Sequence, residues 1–465
     1  MPRLLVRDVP GCRGCPLHED GNKPFVADEL LDGAPVMIVG QGPGAEECEQ
    51  GRPFVGKTGQ MMEKYLRDAG LTRDEVSVGN ALRCRWRGTN DLPPITQTIT
   101  KDALKHCWAA HGRIPDGTRL IVSQGDYAAV TLTGETVSAG DKSTGWRGYL
   151  RRCTLPHVSR PNSFTEPWVP QPADLPVLLT VHLARLFREP WYTLPTRLDW
   201  AKIPRILSGK WPRKPPKFNL APPETWPSAF TFDTEFWHEE GTAPTSARLI
   251  RWSASWGTGD GETCVVEAAV HEHVGPRPKV LGSSYLRPRV ITQYAPADVH
   301  HLARLTGTDW RGSVWDSYLI EDTVWKHSCL HSDYAHDLNF LTSCYGSFNR
   351  HKHLSESDPL LYSALDATVL WEVDQALERE LNADPQSRRV WETIDRPALG
   401  EFVRAQYRGL RTHPARVNEV VDLLKGQADE ATLRAQAIAG WPINLGSNPQ
   451  VGHRIYEVEG IRPGR

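Results

Sequence analysis

The run Phe230-Thr-Phe-Asp-Thr-Glu-Phe sets two carboxylates, Asp233 and Glu235, two residues apart on a β-type stretch. Residues i and i+2 of a strand share a face, so both carboxylates point the same way. Like charges that close are unfavourable unless a cation lies between them. Further on, Tyr362-Ser-Ala-Leu-Asp366 places a phenol and a carboxylate on one face of an apolar helical segment. A third carboxylate, Asp298, opens a helix between these two motifs. Hard cations prefer such oxygen ligands.

The N-terminal part offers different chemistry. Cys12-x2-Cys15, Cys84 and Cys107 fall in the first quarter of the chain, and the other five of nine cysteines are scattered. Nine are too few for a disulfide scaffold of 465 residues, and clustering of four asks for a metal or a cluster before disulfides. Thiolates in this number suit a [4Fe-4S] cluster, with zinc as the main alternative. A strand also empties into a Gly/Pro loop, Met37-Ile-Val-Gly-Gln-Gly-Pro-Gly-Ala-Glu-Glu, and a second glycine-bounded turn, Gly51-Arg-Pro-Phe-Val-Gly, opens a helix. Glycines let a ligand approach the backbone, where N–H groups can hold anionic or carbonyl oxygens.

These groups must be positioned by alternating strands and helices. Short β-type runs begin at Pro35, Val76, Arg119 and Val177, and helical stretches are expected over Gln60 to Ala69, Thr100 to Ala110 and Asp126 to Leu132. That alternation predicts an α/β layered domain with a mainly parallel sheet. From Ile203 to Pro227 prolines crowd with lysines and arginines, which reads as a semi-rigid basic connector. A second α/β pattern starts at Ala229, with helices over Ala335 to Cys344 and Leu360 to Leu381. Beyond Ser387 the chain is expected to be wholly helical, with Val390, Ile394, Leu399, Phe402 and Val403 recurring at helix spacing.

The N-terminal motifs, in their order, resemble the family 4 uracil-DNA glycosylases, which carry an iron–sulfur cluster. The matching stretches are Gly40-Gln-Gly-Pro-Gly, Gly51-Arg-Pro-Phe-Val-Gly, Asn80-Ala-Leu-Arg-Cys-Arg and Thr180-Val-His-Leu. The resemblance covers residues 5–205 and implies a three-layer α/β domain, with Cys12, Cys15, Cys84 and Cys107 as ligands of a structural [4Fe-4S] cluster. It also implies a pocket in which Gly42 lines the base, Phe54 stacks on a flipped uracil and Asn80 pairs with its edge. His182 would donate to the uracil oxygen that gains charge. Glu47 matches a family glutamate of that pocket. Two residues depart from the pattern. Gln41 stands where relatives carry a glutamate, removing a carboxylate that orients water or stabilises the sugar cation. Leu183 replaces the proline after the motif histidine, which is expected to loosen the turn that aims His182.

The acidic motifs resemble the DEDDy proofreading exonuclease domain of family A, DNA polymerase I-like, polymerases. Trp315-Asp-Ser-Tyr-Leu-Ile and Asp337-Leu-Asn-Phe-Leu support the match. The resemblance implies an RNase H-like α/β domain over 229–386. Asp233, Glu235, Asp298 and Asp366 would be ligands of two Mg²⁺ or Mn²⁺ ions, and Tyr362 would orient the attacking water. The family's amide before the second-motif aspartate does not align cleanly (Gln293 is nearest), so Asp316 stands as the fallback for Asp298. Glu392-Thr-Ile-Asp-Arg-Pro, Tyr407-Arg-Gly-Leu-Arg-Thr-His-Pro and Pro442-Ile-Asn-Leu-Gly-Ser-Asn-Pro-Gln resemble the first helices of a family A polymerase domain. The chain carries no polymerase aspartates, so nucleotide polymerisation is not expected from it, and a separately encoded palm-and-fingers polypeptide is an expected partner.

The expected organisation is therefore a glycosylase-like domain at 1–205, a linker at 206–228, an exonuclease domain at 229–386 and a short all-helical start of a polymerase thumb region at 387–465. Lysine plus arginine total 54 against 56 acidic residues, which excludes a uniformly basic nucleic-acid coat but not a local groove. Within the connector, Arg197, Lys202, Arg205, Lys210, Arg213, Lys214 and Lys217 are candidates for DNA phosphates, with its tryptophans as stacking surfaces. No run of about 18 uncharged apolar residues occurs, so no membrane partner and a cytoplasmic location are expected. The substrate expected is DNA, uracil-containing or presenting a 3′ end.

Overall fold

The computed structural model describes residues 4–19, 21–85, 93–137, 145–155, 175–237, 247–267, 288–306, 314–316, 320, 337–408 and 413–461. The chain forms two compact units, Met1–Tyr407 and Arg408–Arg465. Residues 409–412 of the polymerase-like motif Tyr407–Pro414 and 317–319 of the stretch Trp315–Ile320 lie outside the described residues.

The first unit holds two five-stranded sheets. In the first sheet, β1 (Val36–Gly40), β2 (Val76–Asn80), β3 (Leu120–Gln124), β4 (Leu150–Arg152) and β5 (Pro176–Thr180) take the order β2-β1-β3-β5-β4. All pairings are parallel except β4 with β5. Every residue of β1, β2 and β3 is buried, the mark of a sheet covered on both faces. Helices α1 (Ala45–Gln50), α2 (Lys57–Asp68), α3 (Thr98–His111) and α4 (Asp126–Thr133) fall between these strands, and α5 (Thr193–Trp200) and α6 (Ile203–Leu207) follow them.

The second sheet comprises β6 (Ala229–Trp237), β7 (Arg248–Ser255), β8 (Thr263–Glu267), β9 (Arg289–Thr292) and β10 (Val314–Asp316), in the order β10-β9-β6-β7-β8. Strands β6, β7 and β8 run antiparallel, while β9 and β10 add on in parallel. Helix α7 (Ala295–Thr306) packs against β6 and β9, followed by α8 (Leu338–Tyr345), α9 (Leu354–Ser357) and the long α10 (Pro359–Ala383). No strand occurs among the described residues after 387; α11 (Pro385–Val390), α12 (Arg396–Arg408), α13 (Pro414–Ala439) and α14 (Asn448–Gly452) account for most of them. A π-turn at Trp391–Asp395 adds a residue to its turn and rotates the apolar face. Trp391, Leu399 and Val403 are buried, whereas Ile394, within that turn, and Phe402, in the regular helix beyond it, are exposed, though both were expected on the same face.

The basic connector departs from expectation. Lys202 is buried, and its ammonium donates to the carbonyls of Gly148 (2.6 Å) and Ser343. Trp211 is buried with its indole N–H on Gly346 O at 3.1 Å, so neither side chain is available to DNA. Burial lowers the Lys202 pKa to about 8. Alongside, Arg147 pairs with Asp199 at 2.7 Å and donates to Ser343 and to Cys344 Sγ. Tyr149 donates to Asn339 O at 2.6 Å. A buried ionic network therefore ties the region around β4 and α5 to α8, across almost 200 residues of sequence. Because a buried charge without its partner is costly, these residues hold each other in a single arrangement.

Candidate functional site

The carboxyl ends of parallel strands are where open α/β sheets bind ligands. Four expected site residues lie there in the first sheet. Asn80 ends β2, Gln41 follows β1, and His182 stands two residues beyond β5. Phe54 reaches the same end from the loop between α1 and α2. The meeting point is Gly40, where a Cβ would lie 2.5 Å from the tip of the Phe54 ring and 2.6 Å from the Asn80 side-chain oxygen. On the other side of β1, a Cβ on Gly125 would run into the Gln41 amide and come within 3.0 Å of His182 Cβ. Aromatic ring, amide and imidazole thus gather around the ends of neighbouring strands. The loop bearing Gln41 and Gly42 is fixed to the next strand by Ala81 N–H on Gly40 O (2.9 Å) and Leu82 N–H on Gln41 O (3.0 Å).

Phe54 adopts φ +54°, the left-handed region that a bulky residue rarely enters and that costs on the order of 1–3 kcal/mol. Its neighbours hold it there. Arg73 donates to Phe54 O (2.8 Å) and Pro53 O (2.6 Å). Glu47 accepts the N–H groups of Val55 (3.1 Å) and Gly56 (3.0 Å) through one oxygen and that of Gly44 (3.0 Å) through the other. Both Glu47 oxygens are thus engaged by backbone amides, so this residue, which the resemblance assigns to the pocket, ties together the two loops that carry Gln41 and Phe54.

His182 is aimed firmly, contrary to the loosening expected from Leu183. Leu183 is fully buried and begins a short 3-10 helix, Leu183–Phe187, which His182 caps. The Ala184 N–H donates to His182 Nδ1 at 3.3 Å. Burial, helped by the charge of Arg188, pulls the imidazole pKa down to about 4. A neutral ring with Nδ1 accepting carries its proton on Nε2, leaving that nitrogen as a hydrogen-bond donor.

Cys12, Cys15, Cys84 and Cys107 line one cavity, walled also by Phe25 and Leu82. Burial, followed by the neighbouring Cys107 thiol, pushes Cys12 up to about 11 and Cys84 up to about 12. His111 Nε2 lies 3.4 Å from Cys12 Sγ, and Arg83 Nη1 donates to Cys107 Sγ at 3.7 Å. Four sulfurs in one enclosure, with cationic and hydrogen-bonding neighbours, fit a metal cluster or a thiophilic ion.

At the second sheet, Asp233 and Glu235 of β6 and Asp366 of α10 bring one carboxylate oxygen each within 4.8 Å of one another, the only such grouping among the described residues. The β6 face bearing them looks onto α10, since Thr231 donates to Ala367 O at 3.0 Å. Burial and then the charges of Asp298, Asp366 and Glu235 push the Asp233 carboxyl well above its usual range. Asp298 comes from α7 and lies outside the trio. It accepts the Thr234 hydroxyl at 2.6 Å, and burial lifts its pKa to about 7. Asp316, the fallback, accepts the Ala295 N–H at the start of α7 (2.5 Å) and the Thr292 hydroxyl (3.3 Å). It is Asp298 whose charge bears on Asp233.

Two residues that sequence reasoning missed complete this cluster. Lys352 donates to the Tyr362 hydroxyl at 2.6 Å and to Asp366 Oδ2 at 3.3 Å, and His351 Nε2 lies 2.7 Å from Asp366 Oδ1. Burial alone would raise the Asp366 pKa, but Lys352 and His351 hold it down at about 2. One lysine cannot balance three or four gathered carboxylates, so the donor set fits hard divalent cations. The adjacent His351 and Lys352 precede the Tyr362 motif by about ten positions, a local basic pair that gives only a faint signal.

Residues 28–191 match the model of the uracil DNA glycosylase superfamily. The type-4 uracil-DNA glycosylase of Thermotoga maritima is 36% identical over 104 residues, covering 22% of this chain and 50% of that protein. The enzyme of the same name from Archaeoglobus fulgidus is 33% identical over 129 residues, covering 27% and 60%. The chain thus spans about half the length of the curated relatives it matches. Among solved structures, Brucella melitensis NrnC with bound Mg²⁺ is 20% identical, covering 41% of this chain and 90% of that one, at a TM-score of 0.29, too low to argue from.

Proposed function

We propose that residues 1–205 excise uracil from DNA by hydrolysing its N-glycosidic bond. We further propose that residues 229–386 cleave DNA from its 3′ end with two divalent cations. The observation that carries the first half is the meeting of Phe54, Asn80, Gln41 and His182 at one end of the parallel strands. An everted uracil would stack on Phe54, lie along the Gly42 backbone and present its pairing edge to the Asn80 amide. As the C1′–N1 bond breaks, the bonding electron pair moves onto the base. The Nε2–H of neutral His182 would then donate to the oxygen where that charge gathers. Water adds to C1′ and gives up a proton, leaving the free base and an abasic sugar. Gln41 brings no negative charge to the sugar cation, so the reaction rests on stabilising the departing base.

Cys12, Cys15, Cys84 and Cys107 would hold a [4Fe-4S] cluster, whose contribution would be to tie the N-terminal segment to α3. In the second sheet, Asp233, Glu235, Asp298 and Asp366 would hold two Mg²⁺ or Mn²⁺ ions, which would supply charge neutralisation to the attacking and leaving oxygens. Tyr362, fixed by Lys352, would orient the attacking water. Residues 387–465 would be the start of a polymerase thumb region.

The test is a single-turnover assay on uracil-containing single-stranded DNA with the full chain in excess. Release of uracil that is lost with Asn80→Ala supports excision. A second reading, uracil binding without excision, is favoured by the amide at Gln41, and it predicts tight binding with no released base at stoichiometric protein.

A further inference from the structure

The base-binding end of β2 and the four-cysteine cavity are joined by two buried side chains that neither proposed role uses. Asp28 lies on a segment running antiparallel beside β2, where Glu29 and Val78 exchange backbone hydrogen bonds of 2.8 Å in both directions. Its carboxylate is almost wholly enclosed, at 4% exposure, and so is the Arg83 side chain, at 1%. One Asp28 oxygen accepts the backbone N–H of Asn80 at 3.2 Å. The other accepts Arg83 Nη2 at 2.5 Å and Nε at 3.1 Å. Arg83 then turns its remaining nitrogen, Nη1, to Cys107 Sγ at 3.7 Å, with its guanidinium 5.3 Å from the centre of the Trp108 ring.

Each link is specific in direction. A carboxylate offers two oxygens and a guanidinium offers a rigid fork, so the pair cannot shift at one end without moving the other. A thiolate bound to a metal keeps its charge local to the metal, whereas a free thiolate or thiol presents Arg83 with a different partner. The Arg83 fork therefore experiences the state of Cys107, and Asp28 transmits its position to Asn80.

We propose that Asp28 and Arg83 are positioning residues that couple occupancy of the four-cysteine site to the placement of Asn80. This inference rests on the reading of Asn80 as the base-pairing amide. Metal bound at the cysteines fixes Arg83, Arg83 fixes Asp28, and Asp28 holds the end of β2 in the register that presents the Asn80 amide. Loss of the metal releases this chain of contacts and widens the pocket at its pairing edge.

Amide hydrogen exchange across residues 76–82 tests the coupling without depending on activity. It is measured on the full chain as purified with its metal and after removal of the metal by a chelator. The expected result is exchange at Asn80 faster by about tenfold in the stripped protein, the scale of one lost hydrogen bond. In Arg83→Gln the loaded and stripped proteins should exchange alike, both at the faster rate. Equal exchange in the loaded and stripped wild type overturns the proposal, and so does an undiminished difference in Arg83→Gln. Should Arg83→Gln fail to fold, Asp28→Asn serves, since its carbonyl still accepts from Asn80 while its grip on Arg83 weakens. A smaller loaded-to-stripped difference is expected there, and a difference equal to the wild type overturns the proposal. In the excision assay, Asp28→Asn should raise KM with kcat nearly unchanged. Failure of the wild type to release uracil counts against the excision reading alone and leaves the exchange measurement to decide the coupling.

Discussion

The tip of the Phe54 ring and the side-chain oxygen of Asn80 converge on the same point above Gly40, where a Cβ would stand 2.5 and 2.6 Å from them. The ring comes from the loop between α1 and α2 and the amide from the end of β2, and only a residue without a side chain lets them approach. Gly40→Ala must displace one of them. The expected result is a rise in KM for uracil-containing DNA of ten- to a hundredfold, with a stability loss of about 1–3 kcal/mol from overpacking. Excision kinetics with a denaturant melt checks both. Unchanged KM would show that the two groups do not share a ligand.

His182 is expected to act as a neutral donor. His182→Ala should lower kcat by about 10²–10³ with little change in KM, the size expected for one donor to developing charge. Its folded pKa of about 4 lies below the ordinary 6.5, so between those values the unfolded chain binds more protons. Stability therefore rises with pH across that window, and His182→Gln should flatten the rise. The native imidazole resonances should not titrate between pH 7 and 5; a midpoint near 6.5 contradicts the assignment.

The gathered carboxylates make the opposite prediction for stability. Burial, with the nearby charges of Asp316 and Glu235, raises the Asp298 pKa to about 7, and burial, with the charge of Asp298, raises that of Asp233. Their contribution to the stability of the metal-free chain is full below the ordinary aspartate range and is lost as pH rises through 7. Added Mn²⁺ should abolish that fall, and Asp298→Asn should reduce it, as read by melting temperature across pH 5–8.

Asp233→Ala combined with Glu235→Ala should abolish metal-dependent degradation from the 3′ end and leave uracil release intact. Unaltered degradation excludes this site. Lys352→Met should slow degradation by disturbing Tyr362, and the added Mn²⁺ needed to saturate melting temperature should fall, because a competing cation has been removed from Asp366.

Breaking the Arg147–Asp199 pair leaves an uncompensated buried charge. Asp199→Ala should cost about 3–5 kcal/mol in denaturant unfolding of the full chain. Because Arg147 also holds Ser343 and Cys344, both activities should be lost in one transition.

Much of this architecture is legible locally. The strands at Val36, Val76, Leu120 and Pro176 fall where apolar β-type runs meet turn residues, and α2 begins only three residues before its expected start because Gly56 caps it. The DxE and YxxxD spacings put Asp233, Glu235, Tyr362 and Asp366 on facing surfaces, since strand and helix periods are set by the backbone. What stayed hidden depends on contacts far apart in sequence. Nothing near Asp28 marks it as the partner of Arg83, and nothing near Lys202 shows that a basic, proline-rich stretch buries an ammonium against Ser343. The engagement of Glu47 by the Gly44, Val55 and Gly56 amides shows only once the loops are folded. The outward turn of Ile394 follows from a π-turn that periodicity does not reveal.

The most direct measurement is the yield of free uracil in one turnover from single-stranded DNA carrying one uracil, with protein in excess. A base pocket built by Phe54, Asn80 and His182 predicts near-complete release by the wild type and a loss of at least tenfold in rate for Asn80→Ala and His182→Ala. Intact substrate after prolonged incubation with the wild type, or release unaffected by both substitutions, would contradict it.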